Sequence, residues 1–361
     1  MKHKKIILGI LIIGLMFTII GCSKDTETQE ETPVVEIEEE VQQEEPIEEV
    51  SHEGMAINPL TGLWIDEEAA SRRPVAIMIN NIKRALPQSG ISQADVLYET
   101  LAEGDITRLV GVFQDFDAEK IGPIRSTRHY YLNLAFDHDA IFIHHGGSPQ
   151  AFEAINNLKP ANLNTLSYLE SIMAWRDPVR SKQKGMYEHS LYTSAEGIMK
   201  GWESVGYRNE VQEDLKHKLS FADEEWTPQG QEANTVVVPF SNGYVTKFQY
   251  DSGSGVYKRY QSDQPHIDEN NGQQLEFKNI IIQYTNIRLI PGDAEGRRDV
   301  ELVSSGEGLY ITNGSATPIT WSKNGYNIPT EFKDSQGNTL KLNRGKTSIS
   351  IFPSNKQIEL Q

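Results

Sequence analysis

The 361-residue chain has a single cysteine, Cys22, and that scarcity excludes several chemistries at once. No internal disulfide can form, and the folded part has neither a cysteine nucleophile nor a cysteine-ligated zinc site. The HExxH and HxH spacings of zinc proteins, the EF-hand pattern and the GxSxG elbow are all missing. Gly345-Lys346-Thr347 ends like a P-loop but lacks its leading glycine spacing and following helix. Long apolar runs are also scarce: the stretch Ile6–Ile20 is too short to span a bilayer comfortably. Basic residues are outnumbered, with 34 Lys and Arg against 51 Asp and Glu and a formal charge of −17. That balance argues against nucleic acid, and against binding an anionic polymer by bulk charge. An anionic ligand would have to be held by a few local arginines.

What is present begins with location. Lys2, Lys4 and Lys5 precede the apolar run, which ends Ile19-Ile20-Gly21-Cys22. This pattern reads as a signal peptide over residues 1–22, and its ending resembles a bacterial lipobox, in which the cysteine receives diacylglyceryl and palmitate-type acyl chains. The expectation is an extracytoplasmic protein of the cell envelope, anchored to the outer face of the cytoplasmic membrane by lipidated Cys22. An uncleaved membrane anchor is the alternative. Residues 23–54 read as an acidic disordered tether; the segment 25–53 holds 13 acidic residues and no Lys or Arg. Its self-repulsion favours an extended chain.

Residues 55–226 read as a domain of α+β or α/β class, with a mixed sheet and helices. PVAIMIN (Pro74–Asn80) is apolar without alternation, as expected of a strand covered on both faces. ITRLVGVF reads as another strand, and ADVLYE as either strand or helix. KIGPIRSTRHYYLNLAFDHDAIFIHHGG, residues 120–147, reads as strand Lys120–Ile124, helix Thr127–Phe136 and strand Ala140–His144. SPQAFEAINNL and SAEGIMKGWESVGY read as helices. From residue 227 to 361 strands and glycine-marked turns dominate, which predicts a mainly-β domain.

Three clusters are able to carry chemistry. Arg125 and Arg128 flank a helix start expected at Ser126 or Thr127, a sensible place for phosphate or carboxylate. The competing reading pairs these arginines internally with Glu99, Glu103 or Asp105. His144 and His145 end a strand, where α/β folds bind ligands, but neighbouring strand residues face opposite sides. At most one of them therefore serves a given site, which disfavours a metal; no metal or cofactor is expected. His145 suits hydrogen bonding or general-base work. The third cluster, Trp175-Arg176-Asp177 with Tyr187-Glu188-His189, suits a sugar ring, with Arg176 and His189 beside aromatic faces. Its alternative is a loop held by Arg–Asp contacts. In the β part, Lys258-Arg259 and Arg297-Arg298 read as solvated charges.

GPIRSTR, HHGGSP, the RDPVRSKQK region, EHSLY and the ending GLYITNGSATPITWSKNGY…FKDSQGNTLKLNRGKTSISIFP resemble the YerB-like bacterial lipoproteins, a two-domain family of unknown biochemical function, over about residues 55–355. The resemblance implies a lipid-anchored envelope protein and carries no catalytic residues over. TRLVGVFQDFDAEKIGPIRSTR is more loosely similar to the LytR-CpsA-Psr glycopolymer transferases, in which arginines hold a pyrophosphate. Arg125 is followed here by Ser126, where that family has Arg-Asp. The expected function is therefore binding of a cell-wall glycan, an anionic precursor or an envelope protein partner, without catalysis. The alternative is an enzyme acting on envelope glycan or phosphate.

Overall fold

The computed structural model describes residues 51–212 and 219–361. The signal peptide, Cys22 and nearly all of the tether lie outside the described residues. Among the described residues no helix is long and apolar enough to cross a membrane.

An eleven-stranded mixed sheet carries the fold. Nine of its strands, in chain order, are β1 (Val75–Asn80), β2 (Val96–Leu101), β3 (Thr107–Phe113), β4 (Ile141–His144), β5 (Asn162–Asn164), β6 (Asn279–Thr285), β7 (Ser305–Thr312), β8 (Ser315–Ser322) and β9 (Thr347–Pro353). Their spatial order is β8-β7-β6-β9-β2-β3-β1-β4-β5. The last strand of this sheet, β9, pairs in parallel with β2 on one side and β6 on the other, so one sheet runs through both halves of the chain.

The absence of alternation in the strand at Val75 has a direct explanation. Val75, Ile77 and Ile79 enter one apolar core, and Ala76 and Met78 enter the other, on opposite faces of the sheet. The first core lies under a six-stranded sheet that includes Thr235–Ser241, Tyr244–Asp251 and Val256–Gln261, and under the helix Ala195–Val205. The second lies under helices α1 (Tyr131–Asp137) and α2 (Pro149–Leu158). Truncating Ile77, fully buried in the first core, would cost about 2–5 kcal/mol. ADVLYE resolves to strand β2 because it is buried on both faces. Ser148 caps α2 through Ala151 N–H at 3.1 Å, with Pro149 at the first helical position.

The polypeptide at residues 120–130 departs from expectation. Residues 120–124 form isolated bridges to Ser89, Ile79 and Thr193 rather than a strand. Helix α1 starts only after Tyr130, without a side-chain cap, because the Thr127 hydroxyl donates to the Arg128 carbonyl at 3.0 Å. The two arginines therefore precede a seven-residue helix instead of flanking a capped helix start.

Candidate functional site

Arg125 leaves the chain just beyond the bridge at Ile124, where its amide donates to the Met78 carbonyl and its carbonyl accepts from His145 N–H at 3.1 Å. This pair of backbone bonds places Arg125 next to the end of β4. Gly146 holds that end: its positive φ of 69° turns the chain, its N–H donates to Asn164 Oδ1, and its carbonyl accepts from Thr127 N–H. A Cβ there would lie 3.1 Å from Leu166.

The two histidines divide as strand geometry requires. His144 is fully buried, with Nδ1 against the Gly146 carbonyl at 2.9 Å and Nε2 against Asn162 Oδ1 at 3.2 Å, so its role is internal. His145 is half-buried and faces the opposite way. Its Nδ1 lies 3.0 Å from Thr165 Oγ1 and its Nε2 lies 3.4 Å from Arg176. Burial, then the guanidiniums of Arg176 and Arg125, lower its pKa and favour its neutral form.

Arg176 comes from the short strand Ala174–Arg176, paired with Leu191–Thr193. It donates to the Tyr187 carbonyl at 2.8 Å and stacks 4.0 Å over the Tyr187 ring. Its nearest carboxylate, Glu170, stands 3.9 Å away, and its Nε is buried with no hydrogen-bond partner. Arg125 reaches Glu188 at 2.6 Å, a carboxylate that is 67 % exposed and held below its usual range by that same contact. His189 accepts from Asn80 Nδ2 at 2.8 Å. Its pKa is lowered by burial and then by Arg125, with smaller contributions from Arg84 and Arg180. Arg125, His145, Arg176 and His189 thus share one face. Trp175, Tyr187, Leu166, Tyr168 and Val179, all exposed, belong to the same region of chain.

Arg128 is not part of it. Its side chain makes two bonds to Glu103 Oε2, at 2.7 and 3.1 Å, and a third to the Thr127 carbonyl. Arg108, pushed down to about 10 by burial and by Arg128, holds the other Glu103 oxygen and the Ser126 carbonyl. Of the two readings of Arg128, the structure shows the internal pairing with Glu103 and not an anion site shared with Arg125. Tyr192 does not join the exposed aromatic rings: it is fully buried, with Lys120 4.3 Å over its ring.

One reading of the β half is reversed. Arg259, expected to be solvated, is completely buried and paired with Glu99 at 2.7 Å. It also contacts His266 Nδ1, whose Nε2 donates to Gln88 Oε1 at 2.6 Å. Gln88 in turn donates to the Asn80 carbonyl at 3.0 Å, and Asn80 holds His189. A buried polar chain therefore runs from Glu99 to the face. Only the run of Lys and Arg in a β segment with alternating burial, VYKRYQ, carried any sign of it.

The comparisons with known proteins agree with this architecture. Residues 60–208 match the N-terminal domain, and residues 236–349 the C-terminal domain, of a protein family of unknown function, DUF3048. The chain belongs to this two-domain family, with a mixed sheet and helices in the first part and a mainly-β second part. It is 34 % identical over 299 residues to the "Putative lipoprotein YerB" of Bacillus subtilis (strain 168), covering 82 % of this chain and 86 % of that one. The crystal structure of the YerB protein from Bacillus subtilis superposes with a TM-score of 0.73 at 32 % identity, covering 84 % of this chain and 98 % of that one.

Proposed function

We propose that the chain is a lipid-anchored protein of the cell envelope, held at the outer face of the cytoplasmic membrane by Cys22, that binds an anionic cell-wall glycan or its precursor without catalysis. The observation that carries the reading is the under-satisfied arginine pair. Arg176 has no carboxylate within hydrogen-bond reach, and Arg125 has only the exposed Glu188. Surface ion pairs of this kind contribute about 0–1 kcal/mol, so a ligand oxyanion competes readily with Glu188. Bidentate recognition by guanidinium suits phosphate and carboxylate alike, and the exposed Tyr187 ring suits the face of a sugar. The net charge of the protein opposes generic attraction, so selectivity must come from this local cluster.

The test is binding of the full chain, reconstituted in nanodiscs, to purified anionic wall glycan and to muropeptides. Arg176→Ala and Arg125→Ala are expected to weaken binding at least about tenfold, whereas Arg128→Ala leaves it unchanged once corrected for folded fraction. Equal binding by all three variants overturns the reading. A second reading, an enzyme acting on envelope glycan or phosphate, is favoured by the neutral His145 imidazole beside two arginines. Accumulation of cleaved or transferred product in the same incubations distinguishes it.

A further inference from the structure

The two imidazoles of the face carry their protons on different nitrogens, and this difference names a ligand class. At His145, Nε2 faces Arg176, which can only donate, so Nε2 presents its lone pair. The opposite nitrogen agrees: Thr165 Oγ1 donates to the His144 carbonyl at 3.2 Å, so it accepts from His145 Nδ1–H. At His189 the order is reversed. Asn80 Oδ1 accepts from Ile82 N–H, which fixes the amide, and Asn80 Nδ2 donates to His189 Nδ1. The His189 proton is therefore on Nε2.

The face offers donors from Arg125, Arg176 and His189 Nε2–H, together with one acceptor, His145 Nε2, held 3.4 Å from Arg176. A bare oxyanion uses the donors and leaves that acceptor against its own negative charge. An oxyanion carried on a ring with a neighbouring hydroxyl uses both: the oxyanion draws Arg176 off its long 3.4 Å contact, and the hydroxyl donates to the single His145 Nε2 lone pair that Arg176 gives up. Resting on the reading of this face as an anion site, we propose that its ligand is an acidic saccharide, carboxylate- or phosphate-bearing with a free hydroxyl beside the anion, and that His145 is the residue that selects for the hydroxyl.

Two measurements on the full chain test this. The first is nitrogen-15 spectroscopy of labelled histidines above pH 7, which reports the tautomer directly. His145 is expected as the Nδ1–H form and His189 as the Nε2–H form; an Nε2–H His145 overturns the proposal. The second compares matched probes, glucuronate against cyclohexanecarboxylate and a sugar phosphate against cyclohexyl phosphate, which also separates the two sources of charge. The hydroxylated member of at least one pair is expected to bind about five- to tenfold more tightly, the size of one net hydrogen bond to a neutral acceptor. His145→Leu abolishes that preference, and His145→Gln, which restores an acceptor, recovers it. Equal binding within both pairs, with Arg176→Ala still weakening each probe, overturns this inference and leaves the anion site standing. Binding of no probe by the native chain overturns both.

Discussion

Two regions of this molecule bring arginine and histidine together, and they come to opposite ends. At Arg259 and His266 every partner is internal: Glu99 balances the guanidinium, Gln88 fixes the imidazole, and water is excluded. At Arg125, Arg176 and His145, with the largely buried His189 beside them, the same residue types border solvent with a carboxylate that is exposed and another that is too far. The contrast teaches that residue type does not decide the role of an arginine; the supply of buried carboxylate does. In a protein with an excess of acid, the cations left without it are the notable ones.

The largest expected effect is at the closed region. Arg259→Met leaves Glu99 buried and uncompensated, and urea unfolding of the full chain is expected to show a loss of about 3–5 kcal/mol. A change below about 1 kcal/mol shows that the hub is not a structural ion pair.

A second closed histidine sharpens the contrast through pH. His138, bonded to the Tyr98 hydroxyl at 2.8 Å, is pushed down to about 4 by burial. The unfolded chain takes up that proton near 6.5, so the stability His138 contributes is complete above pH 6.5 and is lost as pH falls towards 4. The lost contribution is about 3 kcal/mol. Asp95 acts in the opposite sense: burial raises it to about 6, so its contribution is present at low pH and is lost as pH rises through 6. His138→Gln should flatten the decline between pH 6.5 and 4; an unchanged slope assigns the acid sensitivity to another group.

Arg128 stands between the extremes. Arg128→Ala strands Glu103 beside Arg108, and thermal unfolding converted to free energy is expected to show a loss of about 2 kcal/mol. The smallest effects belong to the open face: Arg125→Ala and Arg176→Ala are expected to shift stability by less than about 0.5 kcal/mol in the same urea experiment. A loss as large as that of Arg128→Ala makes the face a structural clamp instead of a site.

Much of the fold was legible because it rests on local rules. The apolar run at Val75 announced a doubly covered strand, Ser148-Pro149 announced a capped helix, and the glycine-marked turns after residue 227 announced strands. What sequence could not supply was pairing at a distance. β9 is 251 residues from the Thr100 hydroxyl that its Ile351 carbonyl accepts from, and no local pattern reports that it completes the central sheet. The same blindness explains Arg259, which reads as solvated in VYKRYQ because Glu99 lies 160 residues upstream. Arg128 was ambiguous for a related reason: Glu103 was a visible partner, but only the fold decided between it and a ligand. His145 and Arg176, 31 residues apart, were each singled out for chemistry, and only the fold set them side by side.

The most direct test of the contrast is one titration. Anionic wall glycan is added to the full chain labelled with nitrogen-15 at histidine, and the His145, His189 and His266 signals are followed together. Saturable shifts are expected at His145 and His189, with His266 still and the shifts lost in Arg176→Ala. Motionless signals at His145 and His189, or shifts that survive Arg176→Ala, contradict it.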